Sequence, residues 1–391
     1  MTIVGFAIAF LVLPDSDFSE EENRSLTTFP EVTMEKIGDG RFSEEINIYF
    51  ADQFPVRDCF VTVKGFVELL FGKGENNGVL LGENEQLAVR LYTVYKSRLE
   101  RVADMDYYFE KNIDASIESL NKWAEKEARP IATILPPRTI DVAASAFDYP
   151  TEISDMLNEQ IASSVIEEVN YINLLPIMRD KYDAGEYVYY RTDHHWTTYG
   201  AYIAYCELMK SWGLENDIIP KEAFQVEKVP DFYGTTWSKA GLKFVDSDTL
   251  ELWSLGNDAQ FTTNCYASKR VKGEDGKPVI EKEAYSTFSS WLNRQYLEQK
   301  DKYATLLDGT HNEQTVFSNT ETGRERLLIV KDSFANALVP FLAQHYDLVV
   351  VNLANKLTNA SSYAEEYDCD RILIVYNWGN LIENNYLAAI K

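Results

Sequence analysis

The chain has 391 residues, enough to bury a large hydrophobic core in one domain or two. Its net charge is −25, and because binding to phosphates requires clustered basic residues, this charge argues strongly against nucleic acid and disfavours docking on anionic lipid. The four cysteines are scattered without a CxxC pair, so the sequence offers no familiar zinc motif and no disulfide framework.

The N-terminal residues 3–13 are continuously apolar, end at Pro14 and are followed directly by a charged segment. This run is too short to cross a bilayer, which takes about 20 residues, and no basic residue precedes it. We interpret residues 1–14 as the distal end of a signal peptide or membrane anchor whose start is missing. We therefore expect an extracytoplasmic protein, anchored or secreted at the bacterial cell surface.

Residues 15–128 are predicted to form a mainly helical N-terminal region that packs on the core. After a polar loop, the periodicity predicts a helix over 46–70 that is interrupted at Pro55. A connector with a hairpin at 78–82 follows, and then long helices near 90–111 and 113–127.

From residue 129 onwards, strand patterns alternate with helix patterns. Short apolar runs predict strands at 130–135, 171–174, 187–190, 327–330, 347–351 and 372–375. Helices are predicted at 151–169, with Thr151 as N-cap, and after residue 197, with Gly213 at the C-terminal end. Residues 219–320 break the alternation, with a turn at Asp275-Gly276, and are interpreted as an irregular insertion or lid. The alternation predicts an α/β sandwich with a mainly parallel sheet.

The most informative segment is Thr192-Asp193-His194-His195-Trp196, which carries two of the four histidines. Asp193 and His195 are two residues apart, so in an extended segment they point the same way and can contact each other. Histidine has a pKa suited to a general base, and a carboxylate on its second nitrogen fixes its tautomer. His194 then faces the other side, as a packing or substrate-side residue.

A nucleophile for this base is offered by Lys331-Asp332-Ser333, directly after the predicted strand at 327–330. Ligands of parallel α/β sheets bind at the carboxyl ends of the strands, where both segments are expected to meet. A helix that starts at Ser333 also presents backbone N–H groups to a developing oxyanion.

Other interpretations of these residues stay open. A serine after aspartate is more often a helix cap, and a double histidine is more often structural or metal-binding. The main rival is a catalytic zinc site made of Asp193, one neighbouring histidine and a distant carboxylate. Against it, HExxH is absent and neither His311 nor His345 stands in a matching context, so we expect no metal and no cofactor. The absence of G-x-S-x-G disfavours an ordinary α/β-hydrolase.

The run Asp193-His194-His195-Trp196 resembles the namesake motif of the DHHW protein family. It is also similar to the Asp-x-His-Trp motif of alginate O-acetyltransferase proteins, which have an SGNH-hydrolase-like fold. The similarity to the DHHW pattern spans nearly the whole chain, through the segments Glu22-Asn23-Arg24, Asp52-Gln53-Phe54-Pro55-Val56-Arg57, Lys331-Asp332-Ser333-Phe334 and Pro340-Phe341-Leu342.

This resemblance implies a three-layer α/β/α SGNH-hydrolase-like domain over residues 129–391. It implies that Asp193 orients the base His195 and that Ser333 is the nucleophile. The substrate-binding or supporting residues would be His194, Trp196, Arg138 and Gly309. The glycine and asparagine that usually complete the oxyanion hole are not matched, which leaves Gly309 and the N–H of Ser333 as candidates. Relatives in exopolysaccharide systems transfer acetyl groups to sugar hydroxyls outside the cytoplasm, often beside a membrane-bound O-acyltransferase.

We therefore expect an extracytoplasmic O-acetyltransferase or acetylesterase that acts on polysaccharide hydroxyls through an acyl-serine intermediate. One alternative is a non-catalytic polysaccharide-binding or assembly protein on the same fold, suggested by an aromatic content of 13%. A metal-dependent hydrolase that uses the double histidine is the other.

Overall fold

In the computed structural model, the described residues are 2–19, 24–90, 109–147, 152–272, 278–352, 354 and 359–390. Several sequence predictions fall outside them: most of the helix near 90–111, the N-cap Thr151, the turn at Asp275-Gly276, and Glu22-Asn23. Among the helices of these ranges, none is long and apolar enough to span a membrane.

The N-terminal region consists of short helices and small antiparallel sheets. Its helices are α1 (Thr2–Val12), α2 (Met34–Gly38), α3 (Arg41–Asp52) and α4 (Arg57–Leu70). Its strands are β1 (Phe18–Ser19) paired with β2 (Arg24–Ser25), and a three-stranded sheet of β3 (Glu75–Asn76), β4 (Val79–Leu81) and β5 (Leu87–Val89). The break between α3 and α4 falls at the predicted Pro55, since proline removes a backbone donor.

The next part of the chain begins the alternation of strands and helices. Its elements are α5 (Ala115–Ala124), β6 (Ile131–Ile134), α6 (Thr139–Val142), α7 (Glu152–Ser164), β7 (Tyr171–Ile172), α8 (Leu175–Asp183) and α9 (Thr198–Ser211). Helix α9 is capped by Thr197, whose hydroxyl accepts a hydrogen bond from the N–H of Gly200, and Gly213 follows it with a φ of 69°.

The segment 219–320 is more regular than its sequence indicates. It contains β8 (Gln225–Phe232), α10 (Thr235–Ala240), β9 (Asp248–Ser254), β10 (Phe261–Lys272), β11 (Pro278–Ser289) and β12 (Glu313–Ser318). Within the described residues, strands β8 and β9 pair only with each other, whereas β10, β11 and β12 join the central sheet. Polar and charged side chains such as Lys269 and Glu281 occupy the outer strands, so the apolar periodicity that marks a buried strand is missing.

The C-terminal part completes the fold. It contains β13 (Arg326–Lys331), a 3₁₀ helix (Ser333–Leu338) continued by α11 (Val339–Leu342), β14 (Asp347–Asn352), α12 (Ala360–Glu366), β15 (Arg371–Val375) and α13 (Trp378–Glu383).

The central sheet has eight strands in the order β11-β10-β12-β14-β13-β15-β6-β7. The five strands from β14 to β7 are parallel, and the other three are antiparallel. The inner strands are buried at successive positions, for example at all four residues of β6, which means that both faces of the sheet are covered. The predicted three-layer α/β/α class with a mainly parallel sheet is confirmed.

One predicted strand is replaced by a reversal of the chain. Of residues 187–190, only Tyr189 forms a bridge, with Trp196. The N–H of Tyr190 donates to the carbonyl of His195 at 3.2 Å, and the N–H of Thr197 donates to Val188 at 2.9 Å. Residues 187–190 have the apolar pattern of a strand, but they pair with residues 195–197 rather than with the central sheet. Residues 190–196 therefore form a tight loop.

Candidate active site

The tight loop at 190–196 is fixed through the buried Thr192. Its N–H and hydroxyl both donate to Asp248 Oδ2, at 2.8 and 2.6 Å, and its carbonyl accepts from the N–H of Trp237 at 2.8 Å. The three-stranded sheet holds the same loop from outside, because Leu87 N–H donates to the carbonyl of Arg191 at 2.9 Å. The next residue, Asp193, is therefore presented on a rigid support.

Asp193, His195 and Ser333 form one continuous line of hydrogen bonds. The Asp193 Oδ1 to His195 Nδ1 distance is 2.5 Å, and the His195 Nε2 to Ser333 Oγ distance is 2.7 Å. The His195 backbone N–H also donates to Asp193 Oδ1 at 3.0 Å, so the pair closes a tight turn rather than standing on an extended segment. The sequence-predicted triad residues are thus in contact, in the geometry of a general base between a carboxylate and a hydroxyl.

The second carboxylate oxygen of Asp193 is held by the start of α10. Thr235 donates to Oδ2 from its backbone N–H at 2.8 Å and from its hydroxyl at 2.9 Å. Burial by itself would raise the pKa of Asp193, but the neighbouring imidazoles of His194 and His195 and these donors hold it well below its ordinary value. Asp193 is therefore ionised at neutral pH.

Gly234 makes this close approach possible. A Cβ atom at this position would lie 2.2 Å from Asp193 Cβ and 2.4 Å from Asp193 Oδ2. Any side chain here collides with the carboxylate, so the glycine is required by space rather than by its backbone angles.

Ser333 stands where β13 ends and the 3₁₀ helix begins. Asp332 caps that helix by accepting from the N–H of Phe334 at 3.0 Å, and its other oxygen accepts from Asn377 N–H and Asn380 Nδ2, both at 2.7 Å. The fully buried Trp196 donates from Nε1 to the carbonyl of Phe334 at 3.0 Å. The residues around the serine are therefore hydrogen-bonded both to the start of α13 and to the loop that carries His195.

The imidazole of His195 is clamped between two aromatic rings. Tyr303 stacks on it with a centroid distance of 4.0 Å and an interplanar angle of 11°, and Phe334 packs at 4.8 Å. The Tyr303 hydroxyl donates to the carbonyl of Ser333 at 3.2 Å, so one side chain contacts both the imidazole of His195 and the backbone of Ser333.

Contrary to the sequence expectation, His194 does not face away from the triad: its imidazole packs on that of His195 with a centroid distance of 3.9 Å, and it lines a cavity of about 270 Å³. Its Nδ1 lies 2.7 Å from the hydroxyl of Thr235, and 44% of its side chain is exposed. Desolvation in the cleft and the adjacent His195 lower the pKa of His194 to about 4, which leaves the ring neutral at physiological pH. The cavity is also lined by Arg138, Phe334, Asn377 and Asn380.

Arg138 and Gly309 differ in how they relate to this site. Arg138 lines the cavity, with its guanidinium held by Asp141 at 2.9 and 3.0 Å. Gly309 does not offer an oxyanion donor: its N–H donates to the carbonyl of Leu306 at 3.3 Å, and its own carbonyl accepts from Asn336 at 2.9 Å. The sequence suggestion for Gly309 is therefore wrong, which leaves the N–H of Ser333 as the candidate.

The rival metal interpretation concerns the same residues. Asp193, His194 and His195 each offer a ligand atom within 4.8 Å of the others. However, both nitrogens of His195 are engaged, one with Asp193 and the other with Ser333. A metal ion on His195 would have to break one of these contacts, so the geometry favours the hydrogen-bonded line of Asp193, His195 and Ser333 over a metal site.

Sequence reasoning missed Gly234, Thr235 and Tyr303, which all come from the segment 219–320. They reach the triad through tertiary packing, and no local motif marks them. The sequence suggested Ser333 as the alternative helix cap, whereas in the structure Asp332 is the cap, and its contacts with Asn377 and Asn380 were not predicted.

Three solved structures are similar to this chain. A DHHW family protein from Eubacterium siraeum is 18% identical with a TM-score of 0.61, over 81% of this chain and 95% of its own. Bacillus cereus PatB1 with a sulfonyl adduct is 18% identical with a TM-score of 0.54, over 72% and 93%. The O-acetyltransferase domain of Pseudomonas putida AlgJ is 15% identical with a TM-score of 0.46, over 80% and 95%.

A comparison with curated proteins finds no match. The family model described as DHHW protein matches residues 156–352, half of the chain, including the loop with Asp193 and His195 and the segment with Ser333. The chain belongs to the DHHW protein family.

Proposed function

We propose that this protein is a serine-dependent O-acetyltransferase or acetylesterase that acts on polysaccharide hydroxyls outside the cytoplasm. The observation that carries the proposal is the unbroken line from Asp193 through His195 to Ser333, with distances of 2.5 and 2.7 Å. A hydroxyl becomes a nucleophile when a positioned base takes its proton, and the base is oriented here by an ionised carboxylate.

In the first half-reaction, His195 Nε2 takes the proton of the Ser333 hydroxyl while Oγ attacks the acetyl carbonyl carbon. The Oγ–C bond forms, and the carbonyl electron pair moves onto oxygen. The negative charge faces the start of the 3₁₀ helix, where the N–H of Ser333 is our candidate donor because the N–H of Phe334 is occupied by Asp332. Collapse expels the donor's leaving group, which takes the proton from His195 and leaves acetyl-Ser333.

In the second half-reaction, a sugar hydroxyl or water replaces the leaving group. His195 takes its proton, the new oxygen attacks the acetyl carbon, and Ser333 departs with the proton returned by His195. Asp193 stays ionised throughout and accepts the Nδ1–H of the imidazolium, as its low pKa allows. The cavity beside His194 is the entry for the acceptor in this scheme.

The substrate class and location follow from the resemblance of the Asp193-His194-His195-Trp196 motif. It implies an exopolysaccharide acceptor and, as acetyl source, a membrane-bound O-acyltransferase that passes acetyl groups across the bilayer. At the cavity, the guanidinium of Arg138 supplies hydrogen-bond donors for sugar oxygens. The neutral His194 offers Nε2 as an acceptor for a sugar hydroxyl, because its Nδ1 faces the hydroxyl of Thr235. The acidic surface and the cation-poor composition are consistent with a partner other than nucleic acid.

The first test measures the release of nitrophenol from nitrophenyl acetate. The second measures covalent labelling of Ser333 by a sulfonyl fluoride, detected by mass spectrometry. We expect Ser333→Ala, His195→Ala and Asp193→Ala to lower turnover by about 10³-fold or more with unchanged circular dichroism. The control is Ser145→Ala, an exposed serine that bonds Asp183. Full activity in a folded Ser333→Ala protein would refute the mechanism.

A second candidate is glycan binding without chemistry, and one further cavity favours it. This groove of about 730 Å³ is lined by Tyr187, Tyr199, Arg191 and Lys228, a mixture of rings and hydrogen-bonding groups that suits sugars. Glycan binding that survives all three triad substitutions, in a wild-type protein without turnover or labelling, would favour this role over the enzyme.

A further inference from the structure

A second cluster of ligand-type side chains lies outside the catalytic line. Cys265 is on β10, while Asp308 and His311 belong to the loop before β12. We propose that Cys265, Asp308 and His311 bind a divalent zinc-class metal ion, with solvent as the fourth ligand. This proposal is independent of the acetyl chemistry.

The distances fit a small tetrahedral ion. Cys265 Sγ, Asp308 Oδ2 and His311 Nε2 lie within 4.8 Å of one another. With zinc bonds of about 2.3 Å to sulfur and about 2.0 Å to nitrogen or oxygen, the tetrahedral edge between sulfur and oxygen is roughly 3.5 Å. The Cys265 Sγ to Asp308 Oδ2 distance is 3.7 Å. The His311 Nε2 to Asp308 Oδ2 distance is 2.8 Å and opens by about 0.5 Å when the ion replaces their hydrogen bond.

Neighbouring groups orient each ligand as partners of metal ligands do. Asn293 Nδ2 donates to Asp308 Oδ1 at 2.6 Å and leaves Oδ2 facing the thiol and the imidazole. Gln314 Nε2 lies 3.4 Å from Cys265 Sγ, where it can donate to a thiolate. The Tyr285 hydroxyl contacts His311 Nδ1, so it can accept the ring proton once Nε2 binds the ion.

The ligand types select the ion. One thiolate, one imidazole and one carboxylate suit a borderline-soft transition metal and do not suit Ca²⁺ or Mg²⁺, which prefer oxygen alone. On binding, the Sγ–H bond of Cys265 breaks, its electron pair coordinates the ion, and the proton passes to solvent. His311 is the most exposed of the three ligands, with 18% of its side chain accessible, so a metal ion would reach the site from solvent past His311.

A bound metal ion would also stabilise the segment that contains Tyr303, whose ring stacks on His195. Asp308 lies five residues after Tyr303, and Gly309 is bonded to Asn336 of the 3₁₀ helix that begins at Ser333. Metal binding would therefore stabilise the segment that packs behind Ser333, although the ion itself would not contact the serine.

The test is a titration of the metal-free, full chain with Co²⁺, since a cysteine thiolate ligand produces a near-ultraviolet charge-transfer band. We expect one ion per chain, displaced by Zn²⁺. Cys265→Ala and His311→Ala should abolish the band, and Tyr285→Phe should weaken affinity by about 10-fold. The matched control is Cys369→Ser, which removes a buried thiol elsewhere and should leave the titration unchanged.

Because Cys265 is buried, its variant is paired with the accessible His311→Ala, and both are checked by circular dichroism. The proposal is overturned if wild-type protein shows no thiolate band, or if a folded His311→Ala variant binds Co²⁺ as wild type does. A band that survives Cys265→Ala but disappears in Cys369→Ser would also overturn it.

Discussion

The substitution Gly234→Ala tests whether the position of Asp193 governs the reactivity of Ser333. The new methyl group would lie 2.2 Å from Asp193 Cβ, whereas carbon atoms in contact are about 3.5–4.0 Å apart. Asp193 must therefore move by roughly 1 Å or more. Its two contacts with Thr235, at 2.8 and 2.9 Å, then exceed hydrogen-bonding distance.

Two effects of different size follow. Overpacking a buried site costs typically about 1–3 kcal/mol of unfolding free energy, which lowers the melting temperature by a few degrees at most in a chain of this size. A displacement of about 1 Å in a catalytic group can lower the rate about 100-fold, equivalent to about 2.7 kcal/mol of activation free energy. We therefore expect a large loss of reactivity in a protein that is still folded.

The assay is the second-order rate of Ser333 modification by a sulfonyl fluoride, measured beside thermal unfolding. Gly74→Ala is the matched control, because nothing lies within 4 Å of a Cβ atom at that position. A Gly234→Ala protein that reacts at the wild-type rate would show that the Asp193 contacts do not control the serine, and our reading of the site would be wrong.

Two further predictions concern groups around the serine. Trp196→Phe keeps an aromatic ring but leaves the Phe334 carbonyl without its 3.0 Å donor, so we expect about 1–3 kcal/mol less unfolding free energy and slower labelling of Ser333. Trp291→Phe is the control, since the Trp291 indole N–H has no hydrogen-bond partner within the described part of the chain; equal effects of the two substitutions would contradict the prediction. Burial lowers the pKa of Lys331 from 10.5 to about 8. Between about pH 8 and pH 10.5 the folded state therefore binds fewer protons at this residue than the unfolded state does. The contribution of Lys331 to the free energy of unfolding consequently rises with pH in this range. Urea unfolding should show wild type gaining up to about 3 kcal/mol relative to Lys331→Met from pH 8 to pH 10, and parallel pH curves would argue against it.

The central strands and the contact among Asp193, His195 and Ser333 could be predicted because each leaves a local pattern in the sequence. The central strands were predictable because β13, β14 and β15 are apolar at consecutive positions, as parallel strands covered on both faces must be. The triad contact was predictable because Asp193 and His195 are neighbours and Ser333 ends such a strand. Their catalytic role stays a prediction until the variants are measured.

The missed features depend on distant parts of the chain. Thr235 contacts Asp193 across 42 residues, and no periodicity signals such a contact. For Gly309, the sequence reveals a flexible position but not the direction of its N–H, which is used by Leu306. At residues 187–190 the pattern of a strand was present, yet the hydrogen bonds are made with His195 and Thr197 of the same loop.

The pairing of β6 with β15 has a consequence for when the protein becomes reactive. Ile131 pairs with Ile372, so the middle of the sheet closes only after nearly all of the chain is available. His195 and Ser333 are themselves 138 residues apart, and such distant contacts form late because loop closure costs entropy before contacts compensate for it. A nascent or partly folded chain therefore carries a serine with no base beside it. Covalent capture of Ser333 by a sulfonyl fluoride during refolding would therefore time the completion of the sheet.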